Sequence, residues 1–331
     1  MKDLEKTPIS LRDIILGRLT RESELVPGQG VNIQPLTGEY VDAFAQQYRR
    51  AYQRGDFFAG RYSDPEAQIF NPEWVKREKD NPNHSWILFT GEDGTLLGST
   101  GLFHSADSVN IENIDETQID PIGRGKAIMP HYFRRVVPIL EELGVRVTTE
   151  FLLTPGSKSL RRTLQGELGM TALGIHPHIL RHRETGLTSS EISSAKFVTL
   201  GPQVVTIMPE LAPLFRIVQN QLSLSDPEVV VPEPIGSLPR FTERYEEISV
   251  SAANLEEQRR ALASGYQAVA FDPKANIFKM ATFPDVRPDL DFILDNEAIE
   301  PNKRLVEYLY VNLFRQESDS KPDEGGARYA Q

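Results

Sequence analysis

The chain contains no cysteine. That excludes a disulfide scaffold, thiolate ligation of zinc or iron–sulfur clusters and a cysteine nucleophile, and redox chemistry would need a bound cofactor. No stretch approaches the roughly 18 consecutive apolar residues of a membrane span. The first twenty residues carry charges throughout around the short run Ile14-Ile15-Leu16, which is no signal-peptide core, so a cytoplasmic location is expected. Positive charge is also short: 36 Lys and Arg stand against 47 Asp and Glu, a net charge of −11. Wide contact with nucleic-acid phosphate needs clustered cations, so no DNA partner is expected and local basic patches suit a small anion better.

What is present is an ordinary globular composition, 39 % hydrophobic over 331 residues, enough for two domains. Residues 1–30 read as a helical extension, with a helix from Ser10 to Glu24 and a Pro27-Gly28-Gln29-Gly30 turn. A strand at Val31–Leu36 leads into a segment where Tyr40, Phe44, Tyr48 and Tyr52 recur at helical spacing, a core-facing row. Pro72 opens a further helix, and Trp86–Thr90 and Leu96–Phe103 form a hairpin about Asp93-Gly94. One polar strand is expected from Val109 to Ile119. A loop, Asp120–Ala127, then precedes a helix from Ile128 to Leu143, a strand Val145–Leu153, and a helix ended by Gly169. Further strands are expected at Ala172–Arg183 and Lys196–Leu200.

Beyond residue 200 the pattern predicts a helix over Val204–Leu222, a proline-rich connector at 225–239, and a smaller α/β domain to residue 315. That domain reads as strand Phe241–Val250, capped helix Asn254–Ser264, strands Tyr266–Phe271 and Ile277–Phe283, and a helix from Pro301. Residues 316–331 read as a disordered tail. The helix-glycine-strand-turn-strand pattern at Leu160–His182 recurs at Leu255–Phe283, which points to a partial repeat. Strands around Ala268 and Phe278 offer a route to a homodimer.

The candidate anion site is Arg124-Gly125-Lys126-Ala127, which offers two cations, a glycine that admits close backbone approach and free N–H groups at a helix start. Carboxylates suited to deprotonating an amine lie on the preceding strand at Glu112 and Glu116, with Glu150 a third option on the next strand. Among the histidines, His176 and His178 form an i, i+2 pair without an evident third ligand, so no metal is expected. Ser157 and Ser159 lack a nucleophile-elbow setting. Lys158, Arg161 and Arg162, with Arg181 and Arg183, form a basic run.

The stretch from Ile119 through Asp120-Pro121-Ile122-Gly123-Arg124-Gly125-Lys126-Ala127 to Ile128-Met129 resembles the loop of the GNAT superfamily of acyl-coenzyme A-dependent N-acyltransferases, V-x-P-x-x-R-G-x-G-x-G/A. Ile119, Pro121, Arg124 and Gly125 match; Ala127 replaces a glycine and Met129 a small residue. The resemblance extends over residues 31–185, with Gly169-Met170 where the family usually has Gly-Phe. It implies a mixed, mostly antiparallel α/β (α+β) fold over residues 31–200. It further implies that backbone from Arg124 through Ile128 holds the pyrophosphate of acetyl-coenzyme A or another acyl-coenzyme A, and that strand backbone near Ile119 aligns the pantetheine arm. Lys158 and Gln165 stand where the family often has Asn and Tyr, and Gln cannot act as a general acid.

The expected activity is therefore transfer of an acyl group to the primary amine of a small metabolite. The loop's departures leave two other readings: a non-catalytic module that binds a ligand or partner, and acyl transfer from a carrier protein or aminoacyl-tRNA donor.

Overall fold

The computed structural model describes residues 10–53, 68–105, 108–112, 117–154, 157–181, 188–197, 199–200, 205–230, 241–243, 245–294 and 299–314. Glu116, His182, Arg183, residues 231–239 of the connector and the tail 316–331 lie outside them, as do the side chains of Tyr52, Glu112 and Arg181. The chain divides into two units. The first is Met1–Ala172 with Leu180–Leu200, and the second is Leu173–Ile179 with Gly201–Gln331.

In the first unit, α1 (Leu11–Leu19) starts where Ser10 Oγ accepts from Asp13 N at 3.1 Å. It stops at Thr20 instead of reaching Glu24, because Glu24–Val26 is strand β1, paired antiparallel with β2 (Val31–Pro35). Helix α2 (Val41–Gln53) buries Phe44 and Tyr48 against Trp86, with the Phe44 ring 4.7 Å from Tyr48 and 4.9 Å from Trp86. Helix α3 (Pro72–Glu78) carries the expected proline in its first turn behind an Asn71 cap. Strands β3 (His84–Gly91) and β4 (Leu96–His104) make the hairpin, with Gly94 at φ +80° in its turn.

The single strand expected over 109–119 is two: β5 (Ser108–Glu112) and β6 (Gln118–Ile119), each paired with β4. Helix α4 (Ile128–Glu142), β7 (Arg146–Leu152) and α5 (Lys158–Arg161, continued by a π turn through Glu167) follow. Strand β8 (Thr171–Arg181) gives its ends to this unit and its middle to the second. The strand expected at 196–200 is instead β9 (Thr188–Lys196). Its sequence TSSEISSAK conceals it, since Ser190, Glu191, Ser193 and Ser194 are all buried.

The first unit's strand order is β1-β2-β3-β4-β5-β7-β9, antiparallel except for the β5–β7 pair. Helices α2 and α3 pack on the face that carries Trp86 and Leu88; α4 packs on the other, where Tyr132 meets Phe89. The mixed, mostly antiparallel α/β architecture is the expected one.

In the second unit, β10 (Thr206–Ile207) pairs parallel with β11 (Glu228–Val229), and α6 spans Ala212–Leu222. The helix expected from Val204 starts late because Pro209 and Pro213 occupy first turns, where a missing N–H costs nothing. Strand β12 (Glu246–Ser251) begins after Phe241, which makes one isolated bridge with Phe283. Helix α7 (Leu255–Ala263), β13 (Gln267–Asp272), β14 (Ile277–Thr282) and α8 (Glu300–Tyr308, with a π turn to Leu313) complete it.

The order β8-β13-β14-β12 makes β13 and β14 interior strands, so Ala268 and Phe278 present no free edge for a dimer. The pattern expected over Leu160–His182 takes a longer span, because β8 runs through to Arg181 and the second strand is β9. In both units a helix ends at a left-handed glycine, Gly169 (φ +63°) or Gly265 (φ +83°), and two strands follow. In both, the strand before the helix pairs with the last of the three, β7 with β9 and β12 with β14.

Candidate active site

Strands β5 and β7 run side by side from Ser108 opposite Arg146 to Glu112 opposite Glu150. Among the described residues the β5–β7 register ends there, β6 pairs with β4, and Phe151 and Leu152 pair with β9. Gly98 sets the course of β6: a Cβ there would lie 2.6 Å from Ile119 Cδ1 and 2.7 Å from the Gln118 carbonyl. Asp120 N then donates to Leu97 O at 2.9 Å and carries the chain out of the sheet.

The loop that follows is folded on itself. Gly123 N donates to Asp120 O (2.8 Å), Arg124 N to Pro121 O (3.3 Å) and Ile122 N to Asp120 Oδ1 (3.3 Å), while Asp120 Oδ2 meets Arg50 at 3.5 Å. Gly125 has φ +83° with open space where a Cβ would stand, and Ala127, the residue before α4, is left-handed at φ +51°. Among the described residues, the N–H groups of Gly125, Ala127, Ile128 and Met129 find no acceptor; Pro130 has none to offer, and the bonding of α4 starts with His131 N to Ala127 O. These donors and the helix dipole together favour an anion.

Arg124 is exposed and makes no ion pair or side-chain hydrogen bond among the described residues. Lys126 is tied back, its Nζ 3.3 Å from Gln29 O. Lys158, exposed, opens α5, which like α4 follows one of the two parallel strands, so both helix starts lie at the same end of the sheet. Ile119 and Ile128 flank the loop, Ile128 buried behind it.

For the carboxylates, register sets Glu112 between Gly101 of β4 and Glu150 of β7, and Glu150 is exposed. Sequence reasoning missed three polar groups. Ser99 Oγ donates to Gln47 Oε1 (3.1 Å), and Gln47, 3 % exposed, keeps Nε2 buried without a partner. The Tyr132 hydroxyl is also buried and unpaired, and burial pushes its phenol well above the usual range. Glu191, on the misread strand, is a buried carboxylate. Only the second-turn position of Tyr132 in an amphipathic helix could have flagged any of these in advance. Gln165 donates from Nε2 to Ser194 Oγ at 3.0 Å, a structural tie.

His176 and His178 take separate partners. His176 Nδ1 lies 2.8 Å from Tyr245 Oη and 2.9 Å from Glu247 Oε2, whereas His178, left-handed at φ +57°, bonds through Nε2 to the Val286 carbonyl. Burial alone would raise the Glu247 carboxyl, but the hydrogen bond and charge of His176, then Tyr245 and Lys279, more than offset it and hold it at about 2. No group of three metal-ligating side chains occurs among the described residues, and no helix there is long and apolar enough to cross a membrane.

No family model matches the chain, and no curated protein matches it. Among solved structures it is similar to a ribosomal-protein-S5-alanine acetyltransferase from Vibrio fischeri, at 12 % identity and TM-score 0.40, over 51 % of this chain and 93 % of that one. An N-acetyltransferase from Staphylococcus aureus Mu50 gives 14 %, 0.40, 51 % and 99 %. A GNAT superfamily phosphinothricin acetyltransferase from Sinorhizobium meliloti, in complex with acetyl-coenzyme A, gives 12 %, 0.38, 50 % and 88 %. These are likenesses of fold at low TM-score.

Proposed function

We propose that the protein is an N-acyltransferase that moves an acyl group from acetyl-coenzyme A or a similar thioester to the primary amine of a small metabolite. The observation that carries this is a loop and helix start, directly after β6, whose N–H groups at Gly125, Ala127, Ile128 and Met129 find no acceptor among the described residues. Acetyl-coenzyme A supplies a thioester, whose carbonyl an amine can attack. The backbone of Gly125, Ala127 and Ile128 fits its pyrophosphate, because the donors are unpaired and Gly125 leaves the approach open. Arg124 adds a charge-assisted hydrogen bond, Lys126 keeps the loop closed on Gln29, and Lys158 places a second cation at the neighbouring helix start.

Backbone of β6 at Ile119, paired with β4 on one side, is the strand backbone suited to bonding the pantetheine amides. Met129, half-buried at the second position of α4, narrows the cradle without removing its N–H. An amine must shed a proton before it attacks. Glu112 and Glu116 are the carboxylates that the sequence offers for that step.

Thermal unfolding with acetyl-coenzyme A, coenzyme A and adenosine diphosphate tests the reading, since a ligand that binds only the folded state raises the midpoint. The expected result is a shift with both coenzyme forms that Arg124→Ala reduces. No shift at millimolar ligand would contradict the reading and favour a carrier-bound donor or a non-catalytic module.

A further inference from the structure

Lys126 lies between the two left-handed residues of the loop, Gly125 at φ +83° and Ala127 at φ +51°. A left-handed alanine persists only where its surroundings fix it. Lys126 N donates to Gly123 O at 3.4 Å, which ties the residue to the turn before it. A further hold comes from a distant part of the chain: Lys126 Nζ donates to Gln29 O at 3.3 Å.

Gln29 lies in the turn that joins β1 to β2, and local bonds fix the shape of that turn. Gly28 and Gly30 are left-handed at φ +70° and φ +61°, Gly28 N donates to Glu24 Oε1 at 2.7 Å, and Gln29 N donates to Val26 O at 3.1 Å. The hairpin is in turn fastened to α4. Arg135, about two turns into that helix, sends Nη1 to Glu22 O at 2.6 Å and Nη2 to Glu24 O at 2.5 Å, a fork that a planar guanidinium suits. Leu25 and Val26 are buried, and β1 packs against α4. The same hairpin therefore grips the helix at Arg135 and the loop before it at Lys126. Arg124 stays exposed beside them.

We infer that the β1–β2 hairpin is a working part of the donor site, with Lys126 and Arg135 as positioning residues that hold the N–H groups of Gly125 and Ala127 ready for the anion. The inference rests on the donor-binding reading above. Binding at the loop and order in the hairpin are then coupled in both directions: a displaced hairpin weakens acetyl-coenzyme A binding, and bound acetyl-coenzyme A steadies the hairpin. If the loop without its tie is competent in roughly a tenth to a third of molecules, affinity falls by about three- to tenfold.

The test combines calorimetric titration with acetyl-coenzyme A and amide hydrogen exchange, both on the full chain. Lys126→Met should weaken binding by about three- to tenfold, and Lys126→Arg, which keeps a long cationic donor, should recover most of it. Gly28→Val changes no charge, and its Cβ would meet nothing within 4 Å, but a β-branched residue is strained at φ +70°, so the turn must shift. It should weaken binding by about threefold or more. A loss confined to Lys126→Met, with Gly28→Val at native affinity, overturns the inference, because the lysine would then meet the ligand directly. The exchange measurement needs no variant: saturating acetyl-coenzyme A should slow exchange at Gly28, Gln29 and Gly30 of the native protein, and unchanged rates there overturn the coupling. A native protein that binds no acetyl-coenzyme A would instead remove the donor-site reading beneath it.

Discussion

Helices α4 and α7 begin in opposite ways. At α7 the chain supplies its own anions: Asn254 Oδ1 accepts from the N–H groups of Glu256 and Glu257 at 3.2 Å, and both acids sit in the first turn. Glu257 also accepts from Asn254 Nδ2 (2.8 Å) and Ser251 N (3.1 Å). At α4 there is no side-chain cap, no acid in the first turn and a strained left-handed alanine, while Arg124 and Lys126 precede. Its topological neighbour α5 likewise has no acid in its first turn. A missing cap costs about 1 kcal/mol. A chain that closes one helix start so completely and leaves another open has an external anion as the simplest occupant of the open one. The second unit thus repeats the strand–helix–glycine–strand plan with its helix start closed inside the chain, and the next turn of that helix is tied down as well, Gln258 bonding Met208 N, Thr206 O and Ser251 O.

The largest effect that separates the units belongs to Gly174. A Cβ there would stand 2.1 Å from Val269 O and 2.4 Å from the Ala270 Cα, so Gly174→Val should cost more than about 3 kcal/mol and unfold the second unit in a denaturant titration. Next comes acid. Burial, then the charges of His84 and Arg12, hold His104 at about 4, below the 6.5 of an unfolded chain. The unfolded state therefore binds more protons between these values, and first-unit stability falls as pH drops from 6.5 toward 4. Glu247, near 2 against 4.5, contributes stability that is full above pH 4.5 and lost as pH falls toward 2. Burial lowers His178 of the second unit as well, so both units lose stability as pH drops below 6.5, and the second loses more as Glu247 takes up its proton. Both tryptophans, Trp74 and Trp86, lie in the first unit, so tryptophan fluorescence that registers no loss of stability between pH 6.5 and 4 would contradict the part given to His104.

Arg124→Ala should weaken acetyl-coenzyme A binding by about tenfold, the scale of one charge-assisted hydrogen bond, with little change in the midpoint of the free protein. Asn254→Ala should do the reverse, lowering stability by about 1 kcal/mol and leaving acetyl-coenzyme A affinity unchanged. The smallest effect is a gain. Ala127→Gly relieves a left-handed alanine and should add about 0.5–1 kcal/mol to stability while keeping the N–H that the donor needs.

Local chemistry made much of this legible in the sequence. Ser10, the Asn71-Pro72 start, the Asp93-Gly94 turn, the Asn254 cap and the stops at Gly169 and Gly265 each depend on neighbours a few residues away. The loop after Ile119 was readable for the same reason. What could not be read depends on distant partners. Strand β9 is written in serine, threonine and glutamate, so no apolar alternation announces it; its burial comes from β7, some forty residues earlier in the chain. Glu191 was hidden with it. The split of β5 from β6 is set by Gly98 on another strand, and His176 meets Glu247 across a separation of 71 residues. The carboxylates that the sequence did single out, Glu112 and Glu116, fall where side chains lie outside the described residues.

The most direct test of the central claim is a backbone amide NMR titration of the labelled protein with acetyl-coenzyme A. The account predicts the largest shifts at Gly125, Ala127, Ile128 and Met129, with none at Glu256 and Glu257, whose N–H groups Asn254 Oδ1 already holds. Saturating ligand that leaves the α4 amides unmoved, or that moves those of α7 instead, would contradict it.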